Sequence, residues 1–283
     1  MNMKKAILLD IDGTLVNTKR LLTPKTKEAL LACERQGMLL VLASGRPTSG
    51  LLHLAKELKM NEYGGLLVSF NGAMVIDAKT KEVLFEKVIE PEVCQAVLEH
   101  LKQFRVYPMI DRDEYMFVNH VYGCEVDVHG TKKNIVQYEA KGNDYLLCEI
   151  EDLAKFCTFP LHKILTAGDP NYLREHDAEM EKPFKERLNC SFTAPFYFEF
   201  MPKNVNKKEA IEFVLEDFHI SKEDIIAFGD AQNDQEMIEM AGIGIAMGNA
   251  DPSLKEKADF VTKSNDEDGI AYALSVLGII DRS

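Results

Sequence analysis

The sequence predicts an α/β protein whose parallel-sheet core is interrupted by a second domain of α+β character. Three observations carry this reading. Short apolar runs alternate with amphipathic helical patterns over the first third of the chain and again near its end. Those runs stop at acidic, hydroxyl or glycine residues, as buried parallel strands stop at their carboxyl edge. Between the two halves, an aromatic-rich stretch of alternating polarity breaks the pattern, which marks an insertion. The expected boundaries are 1–82 and 198–283 for the core and 83–197 for the inserted domain. A length of 283 residues is long for one domain and agrees with two.

The elements follow in order. Residues 6–9 are an apolar run ending at Asp10, a buried strand. Thr23 and Pro24 supply a helix cap and a first-turn proline, with Thr26, Ala29, Leu30 and Cys33 at helical spacing and Gly37 as the stop. Residues 38–43 form the next strand, running into Ser44-Gly45-Arg46-Pro47 and a helix to about 58. Residues 66–70 make a third strand before Asn71-Gly72. This βαβαβ order requires right-handed crossovers. In the insertion, 115–119 and 191–200 read as antiparallel strands, and 91–103 and 170–188 as helices. The α/β pattern then resumes. Ile211, Val214, Leu215 and Phe218 lie on one helix face, followed by strand 225–228, helix 234–241, strands 243–247 and 259–262, and helix 268–277.

Composition narrows the function. With 46% hydrophobic and 28% charged residues, the chain is neither disordered nor collagen-like. A formal charge of −13 and the absence of a basic patch argue against nucleic acid and against an anionic membrane surface. No apolar run approaches ~20 residues, so no transmembrane helix is expected. Asp10 and Asp12 interrupt the N-terminal apolar stretch too early for a signal peptide. Cys33, Cys94, Cys124, Cys148, Cys157 and Cys190 are scattered without metal-ligand spacing, which suits structural thiols in a reducing compartment, the cytoplasm.

Four segments could carry chemistry at the strand ends. Asp10-Ile-Asp12-Gly13-Thr14-Leu15 brings two carboxylates to one edge, where they can converge on a cation; an acidic turn is the plain alternative. Ser44-Gly45-Arg46 offers a hydroxyl and amides at a helix start, either a phosphate cradle or a cap and turn. Lys207 can place an ammonium on a phosphate oxygen or stand solvated at a helix start. Gly229-Asp230-Ala231-Gln232-Asn233-Asp234 is a turn and cap by itself. With Asp10 and Asp12 it completes a hard-oxygen divalent site. Rival motifs are weak. Gly242-Ile-Gly244-Ile-Ala-Met-Gly248 lacks dinucleotide spacing, no ATP-binding P-loop is present, and Ser44 has no nucleophile elbow.

In this order the four segments resemble the haloacid dehalogenase-like (HAD) superfamily of phosphatases, and most closely its Cof-type branch of sugar-phosphate phosphatases. Asn71-Gly72-Ala73, Gly248-Asn249-Ala250 and Ser264-Asn265-x-x-Asp268-Gly269 are further branch-like features. The resemblance covers both core segments, and the insertion by size and position. One departure is Lys208, where glycine often follows the motif lysine.

The resemblance implies a Rossmann-like core with an α+β cap and a Mg²⁺-dependent phosphomonoester hydrolase acting on a small phosphorylated metabolite. Asp10 would be the nucleophile, forming an aspartyl-phosphate. Asp12 would be the acid/base, with its pKa raised in a crowded acidic site and its carbonyl reaching the metal. Asp10 and Asp230 would hold Mg²⁺, with Asp234 in direct or water-mediated support. The Ile11 backbone, Ser44, Gly45, Lys207 and Asn233 would grip the phosphoryl oxygens. A closing cap would exclude water. There, Lys163 matches a recurrent cap lysine or is a surface strand residue, and Asp111, Arg112 and Tyr115 form a polar turn that could overhang the site. A phosphomutase and a phosphometabolite sensor without turnover are the alternatives.

Overall fold

The structure, a computed structural model, describes residues 5–128 and 130–281. The chain falls into two compact units, Met1–Glu86 with Asn206–Ser283, and Lys87–Val205.

The first unit opens with β1 (Ala6–Leu9), α1 (Pro24–Arg35), β2 (Leu39–Ala43), α2 (Ser49–Glu57), α3 (Met60–Tyr63), β3 (Leu66–Ser69), β4 (Met74–Asp77) and β5 (Val83–Glu86). The second unit contains α4 (Pro91–Leu101), β6 (Tyr107–Arg112), β7 (Tyr115–Val118), β8 (Glu125–Val128), β9 (Thr131–Asn134), α5 (Ile135–Gly142), β10 (Leu146–Glu149), α6 (Leu153–Phe156), β11 (Ile164–Ala167), α7 (Pro170–Glu181), β12 (Leu188–Ala194) and β13 (Tyr197–Pro202). The first unit then resumes with α8 (Lys207–Asp217), β14 (Ile225–Gly229), α9 (Gln235–Met240), β15 (Ile243–Ala246), α10 (Pro252–Lys255), β16 (Phe260–Val261) and α11 (Gly269–Val276).

The first unit is an eight-stranded sheet in the order β16-β15-β14-β1-β2-β3-β4-β5. From β16 to β3 every pair is parallel. Its strands are apolar throughout because helices cover both faces of such a sheet, and β1 is buried along its whole length. The register pairs Leu9 with both Phe228 and Leu42. The segments that follow β1, β2 and β14 therefore leave the sheet side by side. Beyond β3, the hairpin strands β4 and β5 add antiparallel pairs, which the sequence pattern does not predict.

Local signals act where expected in α1. The Thr23 hydroxyl accepts the Thr26 amide, Pro24 occupies the first turn, and Gly37 takes the left-handed conformation after the helix at φ +83°. In the second unit, α7 stops at Glu181 rather than reaching 188; Lys182 still has helical backbone, but Pro183 has no N–H to continue the helical hydrogen bonds. Residues expected as one strand over 191–200 form a hairpin of β12 and β13.

The second unit is a six-stranded sheet, β10-β7-β6-β11-β13-β12, antiparallel except for β10 with β7, plus the two-stranded β8–β9. One face packs an apolar cluster with α4, α6 and α7, and the other face packs with α5 and β8. Because β5 pairs with β4 and β13 with β11 and β12, the two units divide at 86/87 and 205/206 rather than at 82/83 and 197/198. All six cysteines are free thiols. Among the described residues, no helix is long and apolar enough to cross a membrane.

One core residue defies the pattern. Glu34 on α1 is buried, and neither carboxylate oxygen has a hydrogen-bond partner. Burial, reinforced by Glu62, pushes its pKa up to about 8 from an ordinary 4.5. Between those values the folded protein keeps a proton that the unfolded chain has released, so stability falls as pH rises through that window. Glu34→Gln removes this dependence. We expect the variant to match the parent near pH 5 and to exceed it near pH 8.5 by about 4 kcal/mol, roughly 10 °C in Tm. Coincident Tm–pH curves would contradict this.

Candidate active site

The chain leaves β1 at Asp10 and turns at once, with the Ile11 carbonyl accepting the amides of Thr14, Leu15 and Val16 at 3.3, 3.0 and 3.1 Å. Gly13 takes φ +88°, and a Cβ there would overlap the Asp230 carboxylate, so glycine is required on both counts. The turn is tied down from the C-terminal segment. Asn249 Nδ2 donates to the Gly13 carbonyl at 2.8 Å and Asn265 Nδ2 to the Val16 carbonyl at 2.9 Å, while the Asn265 amide donates to Asn249 Oδ1 at 2.9 Å.

Three carboxylates meet where β1 and β14 end. One oxygen from each of Asp10, Asp230 and Asp234 lies within 4.8 Å of the other two. Lys207, the first residue of α8, reaches into this group. Its Nζ donates to Asp10 Oδ1 at 2.6 Å and to Asp234 Oδ1 at 2.7 Å. At 2% exposure it is buried, not a solvated helix-start lysine. The Asn206 side chain caps α8 by accepting the Glu209 amide at 2.7 Å, which fixes the helix start and hence the lysine.

The electrostatics follow from three acids facing one ammonium. Burial holds the Asp10 pKa well above the usual carboxylate range, Asp234 adds to the rise, and Lys207 only partly offsets it. Burial likewise lifts Asp230 to about 6, against the hydrogen bond from Thr14 Oγ1 at 2.9 Å. Burial alone would lower the Lys207 pKa, but Asp10 and Asp234 outweigh it and keep the ammonium charged. An all-oxygen donor set with a surplus of negative charge fits a hard divalent cation. Asp234 is the most committed member: its Oδ1 receives Lys207, and its Oδ2 receives the amides of Asp230 and Ala231 at 3.0 and 3.1 Å. Asp10 and Asp230 each retain one oxygen outside these contacts with donors.

Other expected residues are placed differently. The Asp12 carboxylate stands outside the acidic cluster, 53% exposed, and pairs bidentately with Arg46 at 2.6 and 2.7 Å. The crowding expected around it is absent. Ser44 is buried directly after β2, and its Oγ accepts the Arg46 amide at 3.1 Å. The Ser44-Gly45 turn precedes α2, which begins only at Ser49, so no helix terminus serves this segment. Asn233 is exposed and donates to Asn71 Oδ1 at 3.3 Å. In the second unit, Lys163 is buried in an ion pair with Glu199 at 2.9 Å and is no surface lysine.

The profile of the haloacid dehalogenase-like hydrolase family matches residues 7–274, which is nearly the whole chain. The chain belongs to the haloacid dehalogenase-like hydrolases. A solved haloacid dehalogenase-like hydrolase from Bacteroides thetaiotaomicron is 34% identical with a TM-score of 0.90, over 97% of this chain and 99% of that one. The HAD subclass IIB sugar phosphatase BT4131 is 25% identical with a TM-score of 0.76, over 98% and 100% of the two chains. The Bacillus subtilis protein named 5-amino-6-(5-phospho-D-ribitylamino)uracil phosphatase YwtE is 26% identical, over 96% of this chain and 98% of its own. The protein is an enzyme, a Cof-type HAD phosphatase.

Sequence reasoning named most of the residues that meet at this HAD site, but it missed what Arg46 and Asn71 touch. Local sequence marks Arg46 as the third residue of its motif and Asn71 as the start of a turn after a strand. Nothing in their local sequence signals a partner dozens of residues away.

Proposed function

We propose that this HAD phosphatase is a Mg²⁺-dependent hydrolase of small phosphorylated metabolites such as sugar phosphates, working through an aspartyl-phosphate on Asp10. The cluster of Asp10, Asp230 and Asp234 at the carboxyl edge of the sheet, with Asp10 and Asp234 held by one buried ammonium, carries this reading. The substrate class is supported by the sugar phosphatase and the ribitylaminouracil phosphatase among its relatives.

In this reading an Asp10 carboxylate oxygen attacks phosphorus and the ester P–O bond breaks. The leaving alkoxide takes a proton from Asp12, whose carboxylate has to leave its Arg46 pair to carry one. Water then attacks the same phosphorus and gives its proton to Asp12, releasing inorganic phosphate and restoring the Asp10 carboxylate. Lys207, the Ser44 hydroxyl, the Ile11 and Gly45 backbone and Asn233 hold the phosphoryl oxygens, on which negative charge is spread in the transition state. Asp10 and Asp230, with the Asp12 carbonyl, would hold magnesium, which when bound neutralises charge that otherwise repels a phosphate dianion. Asp234 supports them by fixing Lys207 and the backbone of Asp230. The inserted unit is assigned the part of a cap that selects the leaving group. The cytoplasm is the compartment that six free thiols suit.

The test is phosphate release from an aryl phosphate with magnesium chloride and with a chelator, followed by a panel of sugar and cofactor phosphates. Turnover that disappears with the chelator and returns with magnesium is the expected result. Undiminished turnover in chelator would refute the metal dependence. Phosphate binding without turnover on any substrate would favour a sensor, and dependence on a bisphosphate would favour a mutase.

A further inference from the structure

The turn after β3 is the most unusual stretch of backbone in the first unit. Phe70, Asn71 and Gly72 follow one another with φ of +51°, +53° and +99°. Only glycine adopts this region without cost, and a buried phenylalanine there is held by its surroundings. Those surroundings are the segments read above as gripping phosphate. The Phe70 amide donates to the Arg46 carbonyl at 2.9 Å and the Asn71 amide to the Ser44 carbonyl at 2.9 Å. Gly72 lies so close to the Asn206 carbonyl that a Cβ there would overlap it, just before Lys207.

The Asn71 side chain occupies the middle of this arrangement. Its Oδ1 accepts from Asn233 Nδ2 at 3.3 Å. On its other side is Gly45, where an added Cβ would lie 3.1 Å from both Oδ1 and Nδ2 of Asn71. One amide thus bridges the motif after β2 and the motif after β14, and no strand pairing connects those two loops directly. An acceptor at Asn71 engages one Asn233 N–H and fixes the direction of the other.

We propose that Asn71 is a positioning residue of the phosphoryl site: it aims the Asn233 amide and sets its spacing from the Ser44-Gly45 turn. The left-handed run is the backbone device that brings its side chain there. The inference rests on the phosphatase reading for the identity of the bound group, and it extends that reading to a residue outside the four motifs.

The test separates side chain from backbone, using calorimetric titration of inorganic phosphate in magnesium chloride, together with KM, kcat and Tm. Asn71→Gly keeps the left-handed turn and deletes the amide. It should hold or raise Tm while weakening phosphate binding about tenfold, equivalent to about 1.4 kcal/mol, with KM rising more than kcat falls. Asn71→Asp keeps the shape, the acceptor and tolerance of positive φ but adds a negative charge beside the anion, so it should weaken phosphate binding further still. A purely conformational role predicts parental phosphate affinity for both variants, and that result overturns the proposal. So does a parent protein that binds no phosphate. Failure of the phosphatase reading is recognised separately, as a parent that binds phosphate yet releases none from any monoester. The titration still reports on Asn71 in that case.

Discussion

Asp10→Asn should abolish phosphate release and, in chelator, raise the melting temperature. Both effects follow from one placement. Asp10 is buried beside two other carboxylates, and its pKa is raised by burial first and by Asp234 next, so the ionised form is costly in the folded state at neutral pH. Asparagine keeps the Oδ1 acceptor for Lys207 and removes one of the clustered charges. A gain of about 1–2 kcal/mol is expected, roughly 3–6 °C, the usual signature of a site that gives up stability for function. Activity should fall on the order of 10⁴-fold, because the amide cannot form the covalent intermediate. The checks are single-turnover phosphate release and scanning calorimetry. Activity within tenfold of the parent would mean another nucleophile. A lowered Tm would mean that the Asp10–Lys207 pair outweighs the crowding.

Lys207→Met is the mirror image and should be the most destabilising single change in the site. The ammonium contacts Asp10 at 2.6 Å and Asp234 at 2.7 Å with almost no exposure. Removing it leaves two buried carboxylates without a cation, a situation that costs about 3–5 kcal/mol and roughly 10 °C in a domain of this size. The sign of the pH dependence is fixed by the same groups. Asp10, whose pKa burial raises in the folded state, takes up a proton on folding, so the deficit should shrink as pH falls. Combining Lys207→Met with Asp10→Asn should restore part of the loss, and a double-mutant cycle by chemical denaturation measures that coupling. Additive effects of the two changes with no pH dependence would show that the lysine stem, not its charge, supports the core.

The architecture of the first unit was legible because its elements are written in local patterns. Apolar runs such as Ala6–Leu9 and Ile225–Gly229 read as strands wherever they lie, and Thr23-Pro24 and Gly37 bracket α1 by backbone chemistry alone. Asp10, Ser44 and Asp230 were legible as site residues because each directly follows such a run, and parallel strands carry their carboxyl ends to one edge. The second unit was less legible. Short antiparallel strands such as β8 and β9 show weak alternation, and β12 and β13 read as one run although Pro195 marks the turn between them, because the aromatic residues on both sides continue the strand pattern.

Contacts set by packing rather than by period stayed out of reach. Arg46 could as well have lined a phosphate cradle as paired with Asp12, since both outcomes use the same Ser-Gly-Arg string. Asn71-Gly72 announces a turn, but not that three left-handed residues point its amide at Asn233. Glu34 sits on the buried side of α1 by geometry, and no helix pattern expects a lone carboxylate there. The amino-acid order by itself determined which segments are strands, where they end and which acids stand at those ends, because strand and helix periods are local properties of the chain. Only the tertiary structure decided which of those acids share one lysine, which is paired away to an arginine, and which asparagine spans two loops. Those outcomes depend on the register between strands far apart in sequence and on the desolvation that close packing imposes.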